Sequence, residues 1–173
     1  MTTNLISVTP DVESIVASLT ILPQGNEEIG RTLCSLLADV FALFLKTQSV
    51  HWYMPGAHFR VYHPLFDSQE VQLLEASDAI EERAREKGAA AFRWASEAER
   101  NQRVDDYGKT TFSPIVMLSE LCSDNLKLAS FLREAHAACA RFGDLATASL
   151  LNGCIDEAER RAWLLSAATA AYA

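Results

Sequence analysis

The sequence predicts an all-α protein, a four-helix bundle in which one connection is long. Apolar residues recur at intervals of three and four through four long stretches, the period of an amphipathic helix. Seven Gly and five Pro in 173 residues leave few breaks. No stretch alternates like a strand. With 49% hydrophobic and 22% charged residues, the chain has the composition of one globular domain with its own core.

The bundle domain is predicted to occupy residues 26–173, preceded by an extended arm over residues 1–25. Pro10 and Pro23 interrupt the arm, which has no sustained helical period. Asn26 is placed to cap the first helix, because acidic residues follow it and favour the positive end of the helix dipole.

Each predicted helix has boundary residues of the expected type. Pro55 ends the first helix, and Gly88 ends the second as a residue suited to positive φ. Ser113 and Pro114 form an N-cap and first-turn pair, and Asp144 caps the last helix. The predicted helices cover residues 26–53, 58–87, 89–100, 113–142 and 145–170.

Cysteine spacing and charge exclude several classes of protein. The four cysteines have no C-x-x-C spacing, so we expect free thiols rather than a disulfide framework or zinc ribbon. No basic segment precedes an apolar one in the first thirty residues, and Asp39 interrupts the longest apolar run, so we expect a cytoplasmic protein without membrane spans. A net charge of −8 opposes broad nucleic-acid binding and favours cations.

Five potential metal ligands, His51, His63, Asp67, Asp78 and Glu82, are the most informative residues. His63 and Asp67 are four residues apart, as are Asp78 and Glu82, so each pair shares a helix face. Asp67 and Asp78 are roughly 16 Å apart on a straight helix, too far for one site. If these residues share a site, two copies of the chain must form it.

The spacing of the ligands is symmetric. On the second helix, the outer pair His63 and Glu82 and the inner pair Asp67 and Asp78 have the same midpoint, between residues 72 and 73. All four residues lie in one stripe about 100° wide around the helix. Val71 and Leu74 form its apolar centre. In an antiparallel pair of these helices, the histidine end of each stripe faces the carboxylate end of the other, which gives two identical sites.

Other readings of these residues remain open. The stripe could be a solvated face, or could form salt bridges between two chains that bind no metal. His51 taken alone could be a buried structural histidine, as we expect for His136, and His58 has no matching partner. No Glu-x-x-His motif is present, which disfavours an intramolecular di-iron centre. Imidazole with carboxylate suits iron, zinc or manganese.

A longer set of residues carries a family resemblance. The set comprises His51-Trp52, Gly56, Phe59, His63, Leu65, Asp67, Asp78, Ile80-Glu81-Glu82-Arg83-Ala84 and Trp163. Over about residues 26–170 the chain resembles the Dps family, the mini-ferritins named as DNA-binding proteins from starved cells. The resemblance implies a ferritin-like bundle with a short extra helix between the second and third long helices, and a hollow dodecamer of such subunits.

The resemblance also implies an activity. A ferroxidase site would take His51, His63 and Asp67 from one chain and Asp78 and Glu82 from its two-fold partner. Fe(II) would be oxidised there, preferably by hydrogen peroxide, and stored as a ferric mineral that protects against oxidative stress.

Further features of the resemblance concern Trp52, the pores and DNA. Trp52 would supply an electron beside the site, or simply pack. Acidic pores near the start of the last helix would admit iron, with Asp144, Asp156, Glu157 and Glu159 as candidates. Relatives often bind DNA through Lys-rich tails, whereas the basic residues here run only from Arg31 to Arg161, and Gln48 stands where relatives commonly have Lys. A nucleoid-binding protein with a secondary metal site is the alternative reading.

Overall fold

The computed structural model describes residues 23–54, 59–90, 92, 95–105 and 113–170. Over these residues the chain forms four long helices and one short helix, which confirms the predicted bundle with an extra helix in its long connection. The helices are α1 (Pro23–Tyr53), α2 (Phe59–Glu86), α3 (Ala95–Asn101), α4 (Pro114–Arg141) and α5 (Leu145–Ala170).

Two predicted helix starts are wrong. Helix α1 begins at Pro23 rather than after Asn26, because proline in a first turn lacks only an N–H that has no intrahelical partner. Asn26 therefore lies inside the helix and does not cap it. Helix α3 begins at Ala95 rather than Ala89. Residues 1–22 and the Pro55-Gly56 turn lie outside the described residues.

The turns after α2 and α4 follow the predicted chemistry. Gly88 and Gly143 have φ values of 78° and 71°, which favour glycine. Asp144 caps α5, since its Oδ1 accepts a hydrogen bond from the Thr147 backbone N–H at 3.1 Å. Ser113 stands at the N-cap position of α4, but its side chain makes no capping hydrogen bond.

The helix directions identify the long connection as a crossover. Lys87, just after α2, pairs with Asp144 before α5, at 2.7 Å between Nζ and Oδ2. At the other end of the bundle, the Tyr62 hydroxyl donates to the Ala168 carbonyl at 3.3 Å. Helices α2 and α5 are therefore antiparallel. Because α4 turns back into α5 at Gly143, α2 and α4 run parallel, and the chain between them travels the length of the bundle.

Two ion pairs, each with a buried carboxylate, hold this crossover and α4 against α1. Asp39 is fully buried and accepts hydrogen bonds from the Arg103 backbone at 2.5 Å and from its guanidinium at 2.6 Å. Lys46 pairs with Asp124 at 2.6 Å. The core around them is apolar, although Leu126 on α4 is exposed. In the described part of the chain no helix is long and apolar enough to span a membrane.

Candidate metal centre

The end of α1 and the first turns of α2 bring three of the five predicted ligands together. His51 lies in the last turn of α1, and His63 and Asp67 face it from α2. One ligand atom from each side chain lies within 4.8 Å of the other two. This group, which we call the triad, combines two imidazoles and a carboxylate, a donor set suited to Fe(II).

The triad is buried on one side and open on the other. His51 is 8% exposed, and its Nε2 contacts His63 Nδ1. Asp67 is exposed and lies 3.8 Å from each imidazole, with Oδ1 facing His51 Nε2 and Oδ2 facing His63 Nε2. Three protein donors leave an ion short of ligands, so the open side must supply more.

Asp78 and Glu82 do not join the triad within one chain. Both are exposed on α2 and lie outside the group of three. A rise of about 1.5 Å per residue puts them roughly 16 and 22 Å beyond Asp67 along the helix. Asp78 instead lines an open surface hollow of about 740 Å³, together with Leu74 and Glu81.

The ligand stripe faces away from the core of its own subunit. At about 100° per residue, the buried side chains of α2 centre about 140° from the stripe. Val71 and Leu74, the apolar centre of the stripe, are 56% and 48% exposed. Trp52 and Tyr53 at the end of α1 are exposed as well. Several large apolar side chains left exposed beside charged groups are typical of a protein–protein interface.

Sequence reasoning missed one side chain at this centre, Glu70. Its Oε1 lies 2.7 Å from His51 Nδ1, the ring nitrogen that faces away from His63. A signal was present, because the helical wheel places Glu70 only about 20° from His63, between the ligand stripe and the core. The contact itself joins two helices, and one helix's periodicity does not reveal it.

The remaining predicted residues fall into different environments. Trp52 is exposed beside His51, His136 is half-buried on α4, and His58 lies outside the described residues. Asp144 does not fit an open pore, because it is 3% exposed and bonded to Lys87 and Thr147.

The other pore candidates differ in their charge partners. Asp156 is exposed, and Glu159 is ion-paired with Arg133. Glu157 is half-buried, with its Oε2 3.9 Å from Arg161 Nη1.

A four-helix bundle with one crossover connection is the ferritin-like architecture, and the histidine–carboxylate group gives this bundle a candidate metal site. Comparison with known proteins agrees, because the ferritin-like domain family matches residues 31–171. A low temperature-induced protein of Nostoc sp. is 31% identical over 130 residues, covering 75% of this chain and 73% of the relative. A DNA protection during starvation protein of Helicobacter pylori is 25% identical, covering 76% and 92% respectively.

A solved structure supports the same fold. The Dps protein of Vibrio cholerae, described as one of the ferritin-like di-iron carboxylate proteins, superposes with a TM-score of 0.80 at 20% identity. The match covers 86% of this chain and 93% of that one. The chain belongs to the Dps family of ferritin-like proteins. Membership supports a role in iron storage in general terms.

Proposed function

We propose that this protein is a ferroxidase that oxidises Fe(II), preferably with hydrogen peroxide, and stores the ferric product inside a hollow dodecamer. Each catalytic site would combine the triad of one chain with the partner's Asp78 and the partner's Glu82. The single observation that carries this proposal is the incompleteness of the triad. The triad offers three donors on an open face. The two further carboxylates are exposed on α2, at the positions that a two-fold axis between residues 72 and 73 would bring to the triad of a second chain.

The exposed surface supports the same arrangement. A two-fold axis between residues 72 and 73 would bury Val71 and Leu74 against their copies. The hollow beside Asp78 would then receive the partner's triad end, where Trp52 and Tyr53 project. Burial of these side chains would turn two half-sites into two closed sites of mixed nitrogen and oxygen donors.

The chemistry follows from the donor set. Carboxylates are hard ligands that stabilise Fe(III) more than Fe(II), and imidazoles bind Fe(II) well, so the mixed set favours electron loss after binding. Two Fe(II) each lose one electron, and hydrogen peroxide accepts both as its O–O bond breaks. With two protons from solvent the oxygen atoms leave as water, or without them they enter the ferric mineral as hydroxide. One turnover thus removes both reactants of hydroxyl-radical chemistry, which would protect a cytoplasmic compartment.

Trp52 has a separate role in this proposal. Trp52 follows His51 directly in the sequence, and its side chain is exposed in the single subunit. It could therefore donate an electron to an oxidising equivalent that escapes the site. Replacement by Phe would leave Fe(II) binding intact and remove that donor.

The direct test is rapid oxidation by the assembled protein. Fe(II) is added without oxygen, then hydrogen peroxide, and ferric absorbance is followed over time. We expect a fast phase in the wild type and its loss in His51→Ala/Asp78→Ala, which removes a ligand from each half-site. Wild-type kinetics in that variant would refute the assignment. Elemental analysis after iron loading tests the alternative in which the stripe forms only salt bridges between two chains, because that protein would retain no iron.

DNA binding is expected to be absent. The net charge is −8, so phosphate contacts would have to form against an acidic surface. A gel shift at low salt, without divalent cations, should leave duplex DNA unretarded at micromolar protein. Retardation under these conditions would favour the nucleoid-binding alternative instead.

A further inference from the structure

Glu70 connects α2 to the buried histidine of the triad. It lies three residues after Asp67, and its side chain is 16% exposed. Its Oε1 stands 2.7 Å from His51 Nδ1, a normal distance for a charge-assisted hydrogen bond. The opposite ring nitrogen, Nε2, is the atom that faces His63 and Asp67.

This contact determines which nitrogen of His51 can bind a metal. An ionised carboxylate only accepts hydrogen bonds, so His51 Nδ1 must carry the proton that it donates to Glu70. In the neutral imidazole the lone pair then resides on Nε2. The hydrogen bond also limits rotation of the ring. His51 therefore presents a lone pair to the centre of the triad before any ion arrives.

We propose that Glu70 is a positioning residue of the metal centre, which fixes the tautomer and orientation of His51 and thereby sets the metal affinity of the triad. The inference rests on the proposed function. Carboxylate partners of metal-binding histidines also raise the basicity of the ring, and their loss typically weakens metal binding by about 10- to 100-fold. Glu70 is not itself a metal ligand, because its carboxylate contacts the side of the His51 ring that faces away from His63 and Asp67.

The competing explanation is that Glu70 merely holds α1 against α2. The two roles predict different results. A structural tie would lower the stability of the metal-free protein, whereas a positioning residue changes the affinity for a metal and the geometry of its coordination. Glutamine in place of Glu70 keeps a carbonyl oxygen that accepts from Nδ1, so it should preserve much of the positioning and serves as the conservative variant.

The test uses Co(II) alone, without oxidant, on the assembled protein. Visible absorption reports both the affinity and the coordination geometry of Co(II), and thermal melting of the metal-free protein reports stability. We expect Glu70→Ala to bind Co(II) about 10- to 100-fold more weakly. Glu70→Gln should lose less than about 10-fold and keep the wild-type spectrum and melting temperature. The matched control is Glu134→Gln, which removes one exposed carboxylate from α4 and should bind like the wild type.

Several outcomes would overturn the role of Glu70. They are wild-type affinity in Glu70→Ala, or a loss in Glu70→Gln as large as that in Glu70→Ala. If the alanine variant does not assemble, Glu70→Leu, which keeps volume but accepts no hydrogen bond, replaces it in the same comparison. Failure of the proposed function has a different signature: the wild type would bind no Co(II), or His63→Ala would bind it equally well.

Discussion

Two variants that each oxidise Fe(II) slowly, one with a defective triad and one with a defective carboxylate pair, should recover fast oxidation when they assemble into the same shell. His63→Ala removes a ligand from the triad and leaves the carboxylate pair intact. Asp78→Asn/Glu82→Gln disables the pair and leaves the triad intact. Each protein alone should lack the fast phase, because every site it builds is incomplete. Shells co-assembled from equal amounts should regain about a quarter of the wild-type initial rate.

The expected fraction follows from two-fold symmetry. Random pairing makes about half of the dimers mixed, and each mixed dimer contains one complete site and one that lacks both halves. About a quarter of all sites are therefore intact. Recovery of this size requires that the triad and the carboxylates come from different chains. A site within one chain, or a solvated charged stripe, gives no route to recovery.

The controls separate assembly from simple mixing. Preformed shells of the two variants, mixed without disassembly, should still oxidise Fe(II) slowly, because each shell contains subunits of only one variant. Shells co-assembled from His51→Ala and His63→Ala should also stay slow, since every site in them has a defective triad. Recovery in the second control, or none in the complementary pair, would contradict the two-chain site.

The bundle was predictable because its signals are local. The Gly143-Asp144 turn joins a residue suited to positive φ to a capping carboxylate, and both chemistries act within a few residues. The start of α1 was harder to predict from the sequence, since Pro23 is compatible both with the first turn of a helix and with a break before one. Leu126 has helical spacing yet is exposed, because periodicity shows that a face exists and not what covers it.

The candidate centre was predictable to a different extent. Spacing alone separated Asp67 from Asp78, because helix rise is nearly constant, so a site that contains both would need two chains. The contact between Glu70 and His51 depends on how α1 packs against α2, and no property of either helix alone specifies it. The Lys87–Asp144 pair is likewise tertiary. Asp144 caps α5 as predicted, but its ion pair with Lys87 buries a side chain that was also a pore candidate.

Asp144→Ala should lower the free energy of unfolding by roughly 3–5 kcal/mol at neutral pH, the usual cost of leaving one member of a buried ion pair alone. Asp144 is 3% exposed, and its partner Lys87 has a side chain 11% exposed. The change also removes the cap of α5, which contributes about 0.5–2 kcal/mol to such a loss. Asp144→Asn keeps an oxygen for the cap and removes the charge, so it should isolate the cost of the unpaired Lys87.

The loss should depend on pH with a definite sign. Burial acts to raise the pKa of Asp144, but hydrogen bonds from Lys87 and Thr147 and the charge of Lys87 outweigh it and hold the pKa below its ordinary 3.8. A carboxyl whose pKa is lower in the folded state stabilises the protein fully above its unfolded pKa, and this contribution disappears as pH falls through the folded value. The difference between wild type and Asp144→Ala should therefore be constant at neutral pH and shrink below about pH 4.

Denaturant unfolding followed by circular dichroism, at one protomer concentration across the pH series, measures this difference. Asp156→Ala is the matched control, because it removes an exposed carboxylate from the same helix and should stay within about 0.5 kcal/mol of wild type. A difference that persists unchanged well below pH 4 would show that the Asp144 charge contributes nothing. Equal stability of Asp144→Ala and wild type at neutral pH would mean that Lys87 finds another partner, and the α2–α5 corner would then owe its geometry to apolar packing alone.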